Sequence, residues 1–146
     1  MRLNFSTLQN ALQQLEKSLA YAHSEMAKND AGLFEQLRNS VIQCFEFTYE
    51  LSHKMLKRYL EAVAANPEAI SEMSFQELIR EGNQKGLLQS DWSVWKGYRQ
   101  ARNNSSHTYD AQKAQEVFEV APAFLAEVRF LLAQLMQRTS KNDEHA

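Results

Sequence analysis

Ser6-Thr7-Leu8-Gln9-Asn10-Ala11-Leu12-Gln13-Gln14-Leu15-Glu16-Lys17-Ser18-Leu19-Ala20-Tyr21-Ala22-His23-Ser24-Glu25-Met26 sets Leu8, Leu12, Leu15, Leu19, Ala22 and Met26 at alternating steps of four and three. That spacing keeps six apolar side chains on one side of a helix, the seam of a bundle helix that crosses its neighbours at a shallow angle. Ser6, with Gln9 three residues on, reads as a capping-box start. Asn29 and Asp30 break the pattern and can cap a second helix. There Phe34, Leu37, Val41, Cys44, Thr48, Leu51 and Met55 form one stripe, and Ile42, Phe45, Tyr49, Leu56, Tyr59 and Val63 form another beside it. So wide an apolar surface predicts a helix central to the bundle or shared with a second subunit. Asn66-Pro67 ends it, because the residue before proline avoids the helical region.

Farther along, Ser74 and Glu77 form a second capping-box pattern, and Gly82 and Gly86 close a short helix. Ser90 or Asp91 caps a third long element, with Val94, Tyr98 and Ala101 on one side and Trp95, Arg99, Arg102 and Ser106 on the next line round. Asn103 to Ser106 favour caps and turns, so this helix frays there. Asp110 can cap the last helix, whose stripe runs Ala114, Val117, Phe118, Ala121, Leu125, Val128, Leu132 and Leu135. Pro122 inside that run predicts a kink or restart. The expected fold is all-α: an antiparallel four-helix up-and-down bundle with a short extra helix, one domain over 1–138, and a loose polar tail at 139–146.

Composition agrees with a globular helical chain. Of 146 residues, 44% are hydrophobic and 23% charged, with two Pro and four Gly. A net charge of -2 exerts no global pull on nucleic acid or anionic lipid, so any polyanion contact must be a local patch. The single cysteine, Cys44, fits a reducing compartment. No apolar signal core opens the chain and no stretch reaches membrane-spanning length, so a cytoplasmic location is expected. Four scattered histidines and one cysteine make no metal site, and no cofactor is expected.

The chemistry gathers in Arg102-Asn103-Asn104-Ser105-Ser106-His107-Thr108-Tyr109. A guanidinium presents a planar fork of donors suited to phosphate, and an imidazole moves protons near neutrality. In an unbroken helix Arg102 and His107, five positions apart, would diverge by roughly 140°. Two arrangements bring them together. The helix can end near Asn104 so that His107 swings back, or two subunits can pool their groups around one cleft.

This motif, in an all-helical chain and between its third and fourth long helices, resembles the HEPN superfamily. Arg102, His107 and Tyr109 look like the Arg-(x)4-His-x-Tyr form found in HEPN partners of minimal nucleotidyltransferases in toxin–antitoxin modules. Gln43-Cys44-Phe45-Glu46-Phe47-Thr48-Tyr49-Glu50-Leu51-Ser52-His53-Lys54 resembles the related nucleotidyltransferase substrate-binding proteins. The resemblance implies a homodimer that cuts RNA without a metal, with Arg102 and His107 as the catalytic pair. It also implies a separate minimal nucleotidyltransferase that silences the site by adding AMP to Tyr109. The family's older name implies the alternative, a non-catalytic subunit that binds nucleotide or scaffolds its enzyme. Neither DNA nor membrane is an expected partner.

Around that core, Arg99 can extend the cationic cleft, and Asn103 and Ser106 can line it. Glu46 and Glu50 share a polar stripe with Gln43, Lys54 and Lys57. On the bland reading they face solvent, with a Glu50–Lys54 pair; on the functional one they brace Arg102. Trp92, Trp95 and Tyr98 can stack bases, although aromatics at helical spacing more often fill a core. His53 stands where relatives often carry Trp, and no catalytic role is expected of it.

Overall fold

The computed structural model describes residues 3–145, with side chains described for 3–140. Among these the chain is helical and without strands: α1 (Ser6–Ala22), α2 (Glu25–Lys28), α3 (Ala31–Val63), α4 (Pro67–Ser71), α5 (Phe75–Gln84), α6 (Trp92–Asn104) and α7 (Ala111–His145). Cross-helix pairs fix the directions. Ser18 of α1 meets Ser40 of α3, while Glu16 and Gln9 of α1 meet Arg129 and Met136 of α7. Ser105 and Arg102, at the end of α6, meet Glu46 and Glu50 of α3. Trp95 and Asn104 of α6 meet Glu127 and Glu116 of α7. Between α1 and α7, α3 and α6, and α6 and α7 one index rises as the other falls, which also sets α1 antiparallel to α3. The long helices α1, α3, α6 and α7 therefore run up and down in chain order, with α4 and α5 in the crossover from α3 to α6.

The core lies where the leucine seam of α1 meets the two stripes of α3 and the stripe of α7. Leu15, Val41, Phe45, Leu60, Val117, Phe124 and Leu135 are all fully buried. Phe124, outside the expected stripe, centres an aromatic cluster with Phe45, Tyr49, Trp95 and Tyr98. Burying these rings together with the aliphatic core is the main stabilising term for so small a bundle. Glu127 is the one carboxylate among the described residues to be buried, and it accepts bonds from Trp95 Nε1 at 3.0 Å and Ser90 N at 3.1 Å.

Several local expectations give way. α1 stops at Ala22, because the N–H and Nδ1 of His23 both turn back to the Leu19 carbonyl, and Ser24 then caps α2. Met26 consequently leaves the seam and is 71% exposed. The Ser6 capping box does not form; Asn4 Oδ1 takes the Ser6 N–H and hydroxyl instead. The box at Ser74 and Glu77 forms in full, and Asp30, Asp91 and Asp110 each cap the helix that follows. Val94 is exposed, and Trp95 takes its place facing the core. Pro122 starts no new helix: its ring is exposed, so water can serve the carbonyl it leaves without an N–H partner. The expected boundary at 139 falls inside α7, whose backbone is helical to His145, and Thr139 is buried. The side chains beyond Ser140 lie outside the described residues.

Candidate functional site

α6 ends at Asn104, with Ser105 as its C-cap, and the chain turns through residues 105–110 before Asp110 starts α7. The turn closes on backbone bonds from His107 N to Asn104 O and from Asp110 N to His107 O. The helix thus ends at Asn104, the break that the first of the two arrangements open to the sequence requires. The residue types between 103 and 106 explain the break, since their short polar side chains compete for backbone partners. Ser105 and Ser106 hydroxyls donate to the carbonyls of Arg102 and Asn103.

Arg102 is held on three sides. Its Nε donates to Glu50 Oε1 at 2.8 Å, its Nη1 donates to Ser105 Oγ at 3.2 Å, and its Nη2 lies 3.7 Å from Glu46 Oε1. Ser105 Oγ also lies 2.9 Å from Glu46 Oε2, joining the two helices through one hydroxyl. A guanidinium has five N–H donors, so this grip leaves part of the fork free for an anion. The side chain is 28% exposed, enough to be reached. Glu46 and Glu50 thus brace Arg102, and the Glu50–Lys54 pair of the bland reading does not form.

His107 has a different partner. Its Nδ1 lies 2.8 Å from the Tyr109 hydroxyl, with the two rings edge to face, and Tyr109 is 83% exposed. Within one chain, then, the broken helix joins His107 to Tyr109 and Arg102 to the α3 carboxylates. Asn103 and Ser106 are exposed at the rim. Asn104 and Ser105, singled out by no motif, are buried, and Asn104 Nδ2 donates to Glu116 Oε2 at 3.3 Å. Their signal lay in the core-facing line of α6: Trp95, Tyr98 and Ala101 lead on to them at helical steps.

Along α6, Arg99 projects over Phe75, its guanidinium carbon 5.6 Å from the ring centroid. Trp95 and Tyr98 belong to the core, while Trp92 is half-buried in a T-shaped pair with Phe75. Tyr49 lies beneath this cluster. Burial pushes its phenol up to about 12, against the opposing pull of Arg99 and Arg102, so it is neutral at physiological pH. Burial likewise lowers the His53 imidazole below its ordinary value. Cys44 is half-buried beside Ser18, and among the described residues no group of three His, Cys, Asp or Glu side chains gathers to hold a metal ion.

A family profile described as "nucleotidyltransferase substrate binding protein like" matches residues 3–137. The chain belongs to the HEPN-type nucleotidyltransferase substrate-binding family. One relative within it is a probable ribonuclease HepT from Haemophilus influenzae, 39% identical over 139 residues, or 94% of each chain. A solved Haemophilus influenzae structure, described as the fold of a substrate-binding domain of a nucleotidyltransferase, superposes with a TM-score of 0.85. It is 38% identical and covers 91% of this chain and 99% of its own. The substrate-binding family and its bundle fold are therefore this chain's own. No helix here is long and apolar enough, among the described residues, to cross a membrane.

Proposed function

We propose that this member of the substrate-binding family is a metal-independent endoribonuclease. It works as a homodimer and is silenced when a separate minimal nucleotidyltransferase adds AMP to Tyr109. The observation that carries the reading is the pairing at the end of α6. A braced, partly free guanidinium near the end of α6 is followed, in the turn after it, by an imidazole whose Nδ1 is tied to an exposed phenol. The ribonuclease relative supports the same chemistry.

In that chemistry His107 Nε2 takes the proton of a ribose 2′-hydroxyl. The freed oxygen attacks the adjacent phosphorus, and a 2′,3′-cyclic phosphate forms as the 5′-oxygen leaves with a proton. Arg102 stabilises the charge that grows on the phosphate oxygens. For Nε2 to serve as base, Nδ1 must carry the ring hydrogen and donate it to Tyr109 Oη, so the phenol selects the working tautomer. When Tyr109 Oη attacks the α-phosphorus of ATP, pyrophosphate leaves and the phenolic proton is lost. The product puts a bulky phosphodiester anion where RNA would lie, and repulsion and volume together block the site.

The experiment is expression of the chain alone, followed by co-expression with the nucleotidyltransferase and mass spectrometry. Expression alone is expected to arrest growth and His107→Ala to relieve it, with adenylyl mass on Tyr109 after co-expression. Harmless expression, unchanged by His107→Ala, would leave the substrate-binding reading. That second reading is favoured by the description of the solved relative.

A further inference from the structure

Between α5 and α6 lies an open cavity of about 630 Å³, lined by Arg80, Asp91, Trp92, Ser93 and Lys96. Neither Arg80 nor Lys96 enters an ion pair among the described residues, and both are exposed. Asp91 is accounted for: its carboxylate caps α6 by accepting from the Ser93 N–H and hydroxyl, which lowers its pKa. Trp92 is the one ring of α6 left half-buried, set at 68° to the Phe75 ring with centroids 6.0 Å apart. The same Phe75 carries Arg99 on its face. Trp92, Lys96, Arg99 and Asn103 recur at steps of four, three and four, so they form a single line along α6 that ends beside Arg102.

We propose that this cavity is a subsite for single-stranded RNA, in which Trp92 stacks a base while Arg80 and Lys96 hold the flanking phosphates. The inference rests on the nuclease reading and deepens it by giving the substrate a path. Ten residues of α6 separate Trp92 from Arg102, about 15 Å at the helical rise. That is the length of about four stacked nucleotides. Arg99 stands between the two ends to meet the intervening backbone. Single-stranded RNA suits this arrangement because a stacking platform beside a row of cations accepts any base, and a rigid duplex could not offer one to Trp92. It also explains how a chain of net charge -2 engages a polyanion, through one cationic line on one helix.

The test uses the full chain carrying His107→Ala, so that binding is read without cleavage. Fluorescence anisotropy is measured on labelled oligouridylates of about two to about eight nucleotides. Affinity is expected to climb with length up to about five nucleotides and then level off. Trp92→Ala should weaken the longest oligomer about tenfold and flatten the climb, whereas Trp92→Tyr keeps most of both. The double change Arg80→Ala with Lys96→Ala should lower the slope of log affinity against log salt by about 1.4. Lys96 is exposed, so Lys96→Ala alone gives a readable slope even where Trp92→Ala disturbs packing. Unchanged affinity and salt slope in all these variants overturn the proposal. So do variants that bind RNA normally but lose the nucleotidyltransferase, which would make the face a protein contact. If the variants act as expected but the parent chain cuts no RNA, the nuclease reading falls and the subsite remains as an RNA-binding site.

Discussion

Arg102 is a charged side chain that should be worth little to folding and, if the proposed chemistry holds, much to function. Glu50 is 51% exposed and Arg102 28%, and a pair so open to water contributes under about 1 kcal/mol. Glu50→Ala is therefore expected to leave the thermal midpoint almost unchanged while cutting RNA cleavage severalfold, because an unbraced guanidinium samples rotamers that miss the phosphate. Equal losses of stability and activity would show the pair to be structural. Ser105 is the opposite case: it is buried, and its hydroxyl serves Glu46, Arg102 and the Arg102 carbonyl. Ser105→Ala should cost about 1–2 kcal/mol in urea unfolding. His53 gives the pH dependence at this scale. Burial, helped by Lys57 and Arg99 and opposed by Glu50, lowers its pKa from 6.5. The folded chain thus binds this proton less readily than the unfolded chain, so stability is full above pH 6.5 and falls as pH drops through it. His53→Phe should flatten the fall in thermal midpoint between about pH 7 and about pH 5; an identical slope in variant and parent would rule the assignment out.

At the scale of elements, the sequence was legible wherever one periodicity or one cap decided the outcome. The leucine seam to Ala22, the stripe of α7 and the caps at Asp30, Ser74, Asp91 and Asp110 were all readable, because each depends on residues close in sequence. Met26 and Val94 were misplaced for a common reason. A helix end or a small rotation, set by partners far along the chain, decides which neighbour faces inward. Glu127 was not legible at all, since nothing local marks a carboxylate as the acceptor for the start of α6. The bracing of Arg102 by Glu46 and Glu50 could be named as an option, yet only the pairing of α3 with α6 selects it. Glu127 carries the test of this level. Glu127→Leu leaves the buried Trp95 indole N–H and the part-buried Ser90 N–H without acceptors and should cost about 2–4 kcal/mol. Glu127→Gln keeps an acceptor oxygen and the side chain's size and should recover most of that in the same denaturant titration; equal losses would mean that the carboxylate charge, not a neutral acceptor, holds α7 to α6.

For the whole molecule, the decisive geometry is that one chain holds its guanidinium and its imidazole by different partners. Arg102 is turned to the carboxylates of α3, and His107 to Tyr109 at the mouth of the α6–α7 turn. Either the two groups of one chain close on a single phosphate, or a twofold pair of bundles sets Arg102 of each copy against His107 of the other. Mixing separates the two. A chain with Arg102→Ala keeps its imidazole, and one with His107→Ala keeps its guanidinium. If sites are shared across the dimer, a mixed dimer holds one intact site and one empty one. Random exchange of equal amounts then restores about one quarter of parental cleavage. If each chain builds its own site, every site in the mixture lacks one group and nothing returns. We expect the restored quarter, because the brace on Arg102 and the tie on His107 can both persist when the opposing groups come from another copy. Cleavage that stays at the level of the separate variants, in a mixture shown by mass to contain mixed dimers, would place the whole site within one bundle.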